Sequence, residues 1–180
     1  GYFSAENKKK WSIIPQRIGV STSPTGAAIK DILSTLERRA PFAEVYVYPV
    51  MVQGNGSEKE IANAIIELDK LDLDVIIIGR GGGSIEDLWS YNTKEVADAI
   101  YNSKTPIVAG IGHETDTTIA DLVADHRAPT PTGAAEIVSI NTIDIIRQTL
   151  DENQIALSNS LNNTISSIKK ELEYKTSILQ

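Results

Sequence analysis

There is no cysteine among the 180 residues. That excludes disulfides and thiolate-held zinc, and it fits a reducing, cytoplasmic setting. No apolar run approaches the roughly 18 residues needed to cross a bilayer. The opening Gly1-Tyr2-Phe3-Ser4 is not a signal sequence, so no membrane partner is expected. An initiating methionine is missing too, which points to a chain cut from something longer. Histidine is scarce, with two residues, so any imidazole chemistry falls on His113 or His126. A basic excess is also lacking: the net charge of −7 argues against a wholly basic nucleic-acid clamp. The charge is uneven, however. Residues 1–39 hold seven Lys and Arg against three acids, leaving a local basic face inside an acidic total.

What the chain does hold is an alternation of short apolar runs and helical patterns. Its 41% hydrophobic and 23% charged content is ordinary for a soluble globular protein. Two of the runs end in glycine. Val75-Ile76-Ile77-Ile78-Gly79 leads into Arg80-Gly81-Gly82-Gly83-Ser84, and Pro106-Ile107-Val108-Ala109 leads into Gly110-Ile111-Gly112-His113-Glu114-Thr115-Asp116. Continuous apolar runs rich in β-branched residues read as strands buried on both faces. In an open α/β sheet ligands bind at the carboxyl ends of such strands. The two glycine-rich tails therefore mark a candidate active site.

Around them the chain reads in order. Residues 1–16 are polar, and Lys8-Lys9-Lys10 reads as a solvated segment within a linker from a preceding domain. Arg17–Thr22 is a first strand. The turn Ser23-Pro24-Thr25-Gly26 follows, with Ser23 or Thr25 placed to cap the helix Ala27–Arg39. Asp31 sits one turn into that helix, at a spacing that could aim it at the strand-end rim. Glu44–Val50 is a second strand, and Ser57-x-x-Glu60 reads as a capping box opening a helix to Asp69. After the third strand, Val75–Gly79, comes a helical or irregular segment from Ser84 to Trp89, then a helix Lys94–Asn102. The fourth strand is Pro106–Gly112, followed by a helix Asp116–Ala124 expected to bury Ile119, Leu122 and Val123. The alternation predicts an α/β fold over residues 17–133: an open parallel sheet of four strands, order 2-1-3-4, flanked by helices. Strands 1 and 3 then meet at the topological switch point, where the Ser23–Gly26, Arg80–Ser84 and Gly112–Asp116 loops converge. Thr130-Pro131-Thr132-Gly133, with Asp125 and Arg127, reads as a stiff crossing over the sheet, its hydroxyls within possible reach of a ligand. From Ala134 to Gln180 there is no Pro or Gly, and apolar residues recur at three- and four-residue steps from Ile143 to Leu179. This predicts one long C-terminal helix, coiled-coil-like or protruding, that stops mid-pattern.

Several chemistries are open to the rim. Backbone N–H groups of Gly81, Gly82, Gly83 and Ser84 at a helix start suit a phosphate, and Arg80 adds a planar cationic fork. The competing reading is a tight turn that needs glycine for its backbone angles. No Gly-Lys-Ser/Thr follows, so this is not a P-loop, and the spacing misses the dinucleotide fingerprint. His113 can move a proton or attack phosphorus, with Asp116 fixing its tautomer; the plainer alternative is a capping histidine with solvent-facing acids. Metal binding by His113, Asp116 and Asp31 is a third reading, though a single His with scattered acids is a poor signature. His126 reads as structural.

Four segments together resemble the large subunit of exonuclease VII, a bacterial single-strand DNA nuclease family. They are Gly19–Leu33, Gly79–Trp89, Gly110–Asp116 and Val123–Thr132, in matching order and spacing. The resemblance implies processive hydrolysis of single-stranded DNA from either end to oligonucleotides, with no obligatory metal cofactor, although Mg²⁺ remains possible. It places the family's catalytic positions on Asp31, Arg80, His113 and Asp116. In the roles we assign, Arg80 and the glycine amides hold the scissile phosphate, helped by Ser23, Thr25, Gly26 and Thr130. His113 is base or nucleophile, and Asp31 is a second acid/base or a partner for Arg80. The resemblance also implies an N-terminal OB-fold before residues 1–16. Residues 134–180 would begin a helical region that carries several copies of a small subunit. Two rivals remain: a nucleotide-binding enzyme that uses the glycine loop for a cofactor phosphate, and an assembly module whose working part is the long helix.

Overall fold

Five parallel strands, β1 (Arg17–Thr22), β2 (Glu44–Pro49), β3 (Val75–Arg80), β4 (Ile107–Ile111) and β5 (His126–Arg127), form one sheet in the order β2-β1-β3-β4-β5. They are seen in a computed structural model that describes residues 1–82, 85–112 and 116–178. The expected order of the first four strands is found, and β5 extends it. No apolar run announces β5, because two residues suffice. Asp125 N donates to Ile107 O at 2.9 Å and Ala128 N to Ala109 O at 2.7 Å, which stitches the segment to β4.

Side chains alternate across the sheet, as strand geometry requires. Ile76 and Ile78 face a layer built by α2 (Ser57–Leu68), α3 (Lys94–Asn102) and α4 (Ile119–Val123). Val75 and Ile77 face the opposite layer, built by α1 (Ala27–Arg39) and α5 (Pro131–Val138). All four of these β3 residues are fully buried, which is why the strand reads as an unbroken apolar run. A 3₁₀ helix over Ile85–Asn92 follows β3, anchored by the buried Leu88 and Tyr91.

Several local expectations are corrected. The N-cap of α1 is Gly26, with no side-chain bond from Ser23 or Thr25. Ser57 is inside α2 rather than capping it: its hydroxyl donates to Gly54 O and meets Ser90 Oγ, while the Glu60 carboxylate accepts from Met51 N. The capping box in this chain is instead Thr118 with Asp121, which opens α4 three residues later than Asp116. Ile119 and Leu122 are exposed and only Val123 of the three is buried, because so short a helix has one face on the sheet. The lysine run is not simply solvated. Lys8 Nζ donates to the carbonyls of Leu122, Val123 and Ala124 at 2.6, 2.9 and 2.6 Å, and burial lowers its pKa. Lys9 pairs with Asp125 at 3.3 Å. Carbonyls left open at a helix end attract cations, and composition could not show that these were within reach.

The helix expected from Ala134 onward is two helices. α5 already starts at Pro131, capped by the Thr130 hydroxyl, which accepts from Gly133 N at 2.9 Å. It ends at Val138, where the Ser139 hydroxyl turns back to donate to Ala135 O and accepts from Arg39 Nε. Its buried Ala134, Ala135 and Val138 make it part of the sheet's covering, in a compact unit of residues Gly1–Asn141. A second unit, Thr142–Gln180, consists of α6 (Ile143–Ile178), a 36-residue helix that buries none of its side chains. The expected apolar step at Leu179 lies outside the described residues.

α5 can lie against β4 because residue 110 has no side chain. A Cβ there would sit 2.9 Å from Thr130 O and 3.0 Å from Pro131 Cα and Ala134 Cβ. Two of these neighbours are backbone, which cannot yield without moving α5 off the sheet. Gly110→Ala is therefore expected to lower stability by about 1–3 kcal/mol. Urea denaturation checks this, and an unchanged midpoint would mean that α5 is free to shift.

Candidate active site

The chain winds from β1 outward to β2, then crosses to β3 on the other side of β1, so the loops after β1 and β3 part in opposite directions. The crevice this leaves at the strand ends is the expected ligand position. It is an open cleft of about 450 Å³ in which Thr22, Ser23 and Gly26 face Arg80, Gly81 and Gly82, with residues 51–53 as a third wall. Five of the residues singled out from the sequence, Ser23, Gly26, Arg80, Gly81 and Gly82, are thus brought together.

Arg80 dominates the electrostatics. It is the last residue of β3, and only 5% of its surface is exposed. Its Nη2 donates to Gln53 Oε1 at 2.8 Å and pairs with Asp87 Oδ2 at 3.2 Å. Its Nη1 is buried and meets no hydrogen-bond partner among the described residues. The Thr22 hydroxyl, on the same cleft at the end of β1, is likewise buried and unpartnered. Buried polar atoms are nearly always satisfied, so two without a partner on one cleft set this strand end apart. Gly81 supplies a complementary observation. Its backbone is outside the left-handed region, and a Cβ would meet no described atom within 4 Å. The protein's own packing does not require glycine there, whereas close approach of a ligand to the main chain does.

Other candidates lie around this centre. Ile111, at the end of β4, is the register partner of Arg80. Next to it Gly112 has φ 79°, and a Cβ there would lie 3.2 Å from Leu88 and 3.3 Å from Asp116. Asp116 is half-buried at this turn, and its carbonyl accepts from Arg127 Nη2 at 3.4 Å. Asp31 is exposed on α1, and Arg80 is held by Gln53 and Asp87 rather than by Asp31. Thr25 lines an adjoining hollow with Pro24 and Met51, and Thr130 is occupied in capping α5. His126 is exposed, its ring edge-on to Trp11 with centroids 5.9 Å apart. Gly83, Ser84 and His113 lie outside the described residues, as do Glu114 and Thr115.

Sequence reasoning missed three members of the site. Asp87 lies inside the glycine motif, where an acid seven residues past an Arg gave no hint of pairing until the 3₁₀ helix folded it back. Gln53 lies in a loop without pattern. Thr22 looked like the end of a strand and nothing more.

Among the described residues no group of three or more His, Asp or Glu could hold a metal ion. Replacing the orphan hydroxyl by a methyl group, Thr22→Val, is expected to leave the empty protein as stable or to raise its stability by about 1 kcal/mol. Thermal unfolding measures this. A clear loss would show that the hydroxyl is bonded in solution and is not waiting for a ligand.

The chain's sequence is similar to one family of known proteins. A family model for the exonuclease VII large subunit matches residues 2–180. Proteins named exodeoxyribonuclease 7 large subunit are 56% identical over 146 residues in Oceanobacillus iheyensis, 50% over 167 in Halothermothrix orenii and 46% over 180 in Clostridium botulinum. These alignments take in 81%, 92% and 99% of this chain but 32%, 40% and 45% of the relatives, so it spans between a third and a half of their length. On the extent of that match, and on the strand-end motifs it contains, the chain belongs to the exonuclease VII large-subunit family.

Proposed function

We propose that this chain supplies the catalytic segment of an exodeoxyribonuclease that hydrolyses phosphodiester bonds of single-stranded DNA, from either end, to oligonucleotides. The observation that carries the reading is the guanidinium of Arg80, buried at the switch-point cleft with one nitrogen unpartnered beside a glycine run. A preorganised cation in a dry site stabilises the charge that develops on phosphate oxygens far better than one in water. Gln53 and Asp87 hold the fork so that Nη1 is left for the substrate. The Gly81 and Gly82 amides complete the cradle.

In the proposed reaction a water oxygen attacks phosphorus, and the P–O bond to the departing nucleotide breaks. His113 takes the proton of that water, or attacks phosphorus itself and is then freed by water. Asp116 orients the imidazole. Asp31 serves as the second acid/base that protonates the leaving oxygen. Arg80 does for the phosphate charge what a divalent cation does in many nucleases, and on that ground we propose that no metal is obligatory.

The family also suggests a partner. No helix among the described residues is long and apolar enough to cross a membrane, yet α6 exposes Leu150, Leu157, Leu161, Ile165, Ile168 and Leu172 along its length. Apolar residues at such spacing bury themselves against other helices. We propose that α6 begins the region that carries copies of the small subunit, and that the assembly works in the cytoplasm.

Two measurements test the chemistry. The first is release of labelled oligonucleotide from single-stranded DNA in excess EDTA, by the full-length protein with its small subunit. Activity should persist and should fall by roughly 10²–10³-fold in Arg80→Ala and in His113→Ala. Dependence on Mg²⁺ would make His113, Asp116 and Asp31 metal ligands instead, and undiminished activity in the variants would put the site elsewhere. The second uses Gly81→Ala, expected to unfold at the wild-type temperature while cleaving roughly tenfold or more slowly. A loss of stability without loss of cleavage would reduce the glycine run to a turn.

A further inference from the structure

Trp89 is one of two tryptophans in the chain, and 72% of its surface is exposed. A large indole left in water is costly, and nothing in the fold asks for it. Among the described residues, neither aromatic ring pair involves its ring or any neighbour on its 3₁₀ helix. The backbone beneath it is firmly held. Leu88 is buried on one side, Tyr91 is buried two residues on, and the Ser90 hydroxyl bonds that of Ser57 at 2.6 Å. Trp89 is therefore an exposed ring on a fixed mount.

The mount is tied to the proposed phosphate site. Asp87, two residues before Trp89 on the same 3₁₀ helix, is the carboxylate that grips Arg80. Trp89 lines its own cavity of about 500 Å³, whose wall includes Gly54 and Asn55. Residues 51–53 of the same loop wall the Arg80 cleft, so the two hollows stand on either side of one short loop. Their charge differs. The cleft holds a buried cation, whereas the Trp89 cavity carries Glu58, Glu86 and Glu95. Three carboxylates repel a phosphate, but they do not repel the face of a nucleobase.

We propose that the Trp89 cavity is a base subsite: a nucleobase of the single strand stacks on the Trp89 indole while a phosphate of the same strand lies against Arg80. The proposal rests on the nuclease reading above and adds to it where the base goes. Stacking is sequence-tolerant, because every base has a π face. It also favours single strands, since a paired base has no free face to offer.

The test is a thermodynamic cycle on the full-length protein with its small subunit, using single-stranded oligonucleotides that carry one abasic nucleotide at successive positions. Trp89→Ala should raise KM roughly 5- to 100-fold with kcat within about twofold. Trp89→Phe should restore most of the loss, and Trp89→Leu, apolar but without a π face, should not. At one position along the strand the abasic substitution should raise KM for the wild type and have no further effect on Trp89→Ala. Additive effects at every position, or equal rescue by Leu and Phe, would overturn the base subsite while leaving the nuclease reading intact. Failure of the wild type to cleave any single strand would sink both.

Discussion

One buried cation organises the strand-end rim of this fold. Taking a guanidinium out of water costs several kcal/mol unless its hydrogens are met. Arg80 is 5% exposed at the tip of a central strand. Its partners come from two different loops: Gln53 from the connection after β2, and Asp87 from the 3₁₀ helix after β3. Meeting that charge therefore draws both loops to the strand end and gives the cleft its walls. Among the described residues nothing meets the Nη1 of Arg80.

The same end of the sheet depends on two approaches that only glycine permits, for different reasons. Gly110 lets the start of α5 pack on β4, where a Cβ would lie about 3 Å from the Thr130 carbonyl and Pro131 Cα, and this closes the layer that contains α1 and α5. Gly112 adopts a positive φ of 79°, and a Cβ there would crowd Leu88 and Asp116. Gly81 belongs to neither class, being unstrained and uncrowded. Gly110 and Gly112 thus serve packing and turning. The distinction is one of neighbours and angles, which a string of residues does not carry.

The parallel sheet was legible because each strand and each covering helix has its own period, and because βαβ connections have one hand. Arg80, Gly81, Gly82 and Ser23 could be placed at one rim because switch-point geometry follows from strand order alone. The errors share a cause. Lys8, Thr118 with Asp121, Ser57 and the two-residue β5 depend on which polar group lies across a gap of tens of residues. Ser57 within Ser-x-x-Glu had a capping pattern but found Ser90 and Gly54 instead. The helix over residues 134–180 was over-extended because no proline or glycine marks its interruption. Ser139 ends α5 by turning its hydroxyl back onto the helix.

The sequence by itself determined the α/β class, the order of the first four strands, the family and the strand-end rim where the loops meet. Those follow from hydrophobic periods and motif spacing, which are local properties of the chain. Only the tertiary structure decided that Arg80 is buried and gripped by Gln53 and Asp87. Likewise it decided that the Thr22 hydroxyl has no partner and that Trp89 stands in solvent. Burial and hydrogen-bond satisfaction are properties of what surrounds a residue after folding, so the same letters could have carried either outcome.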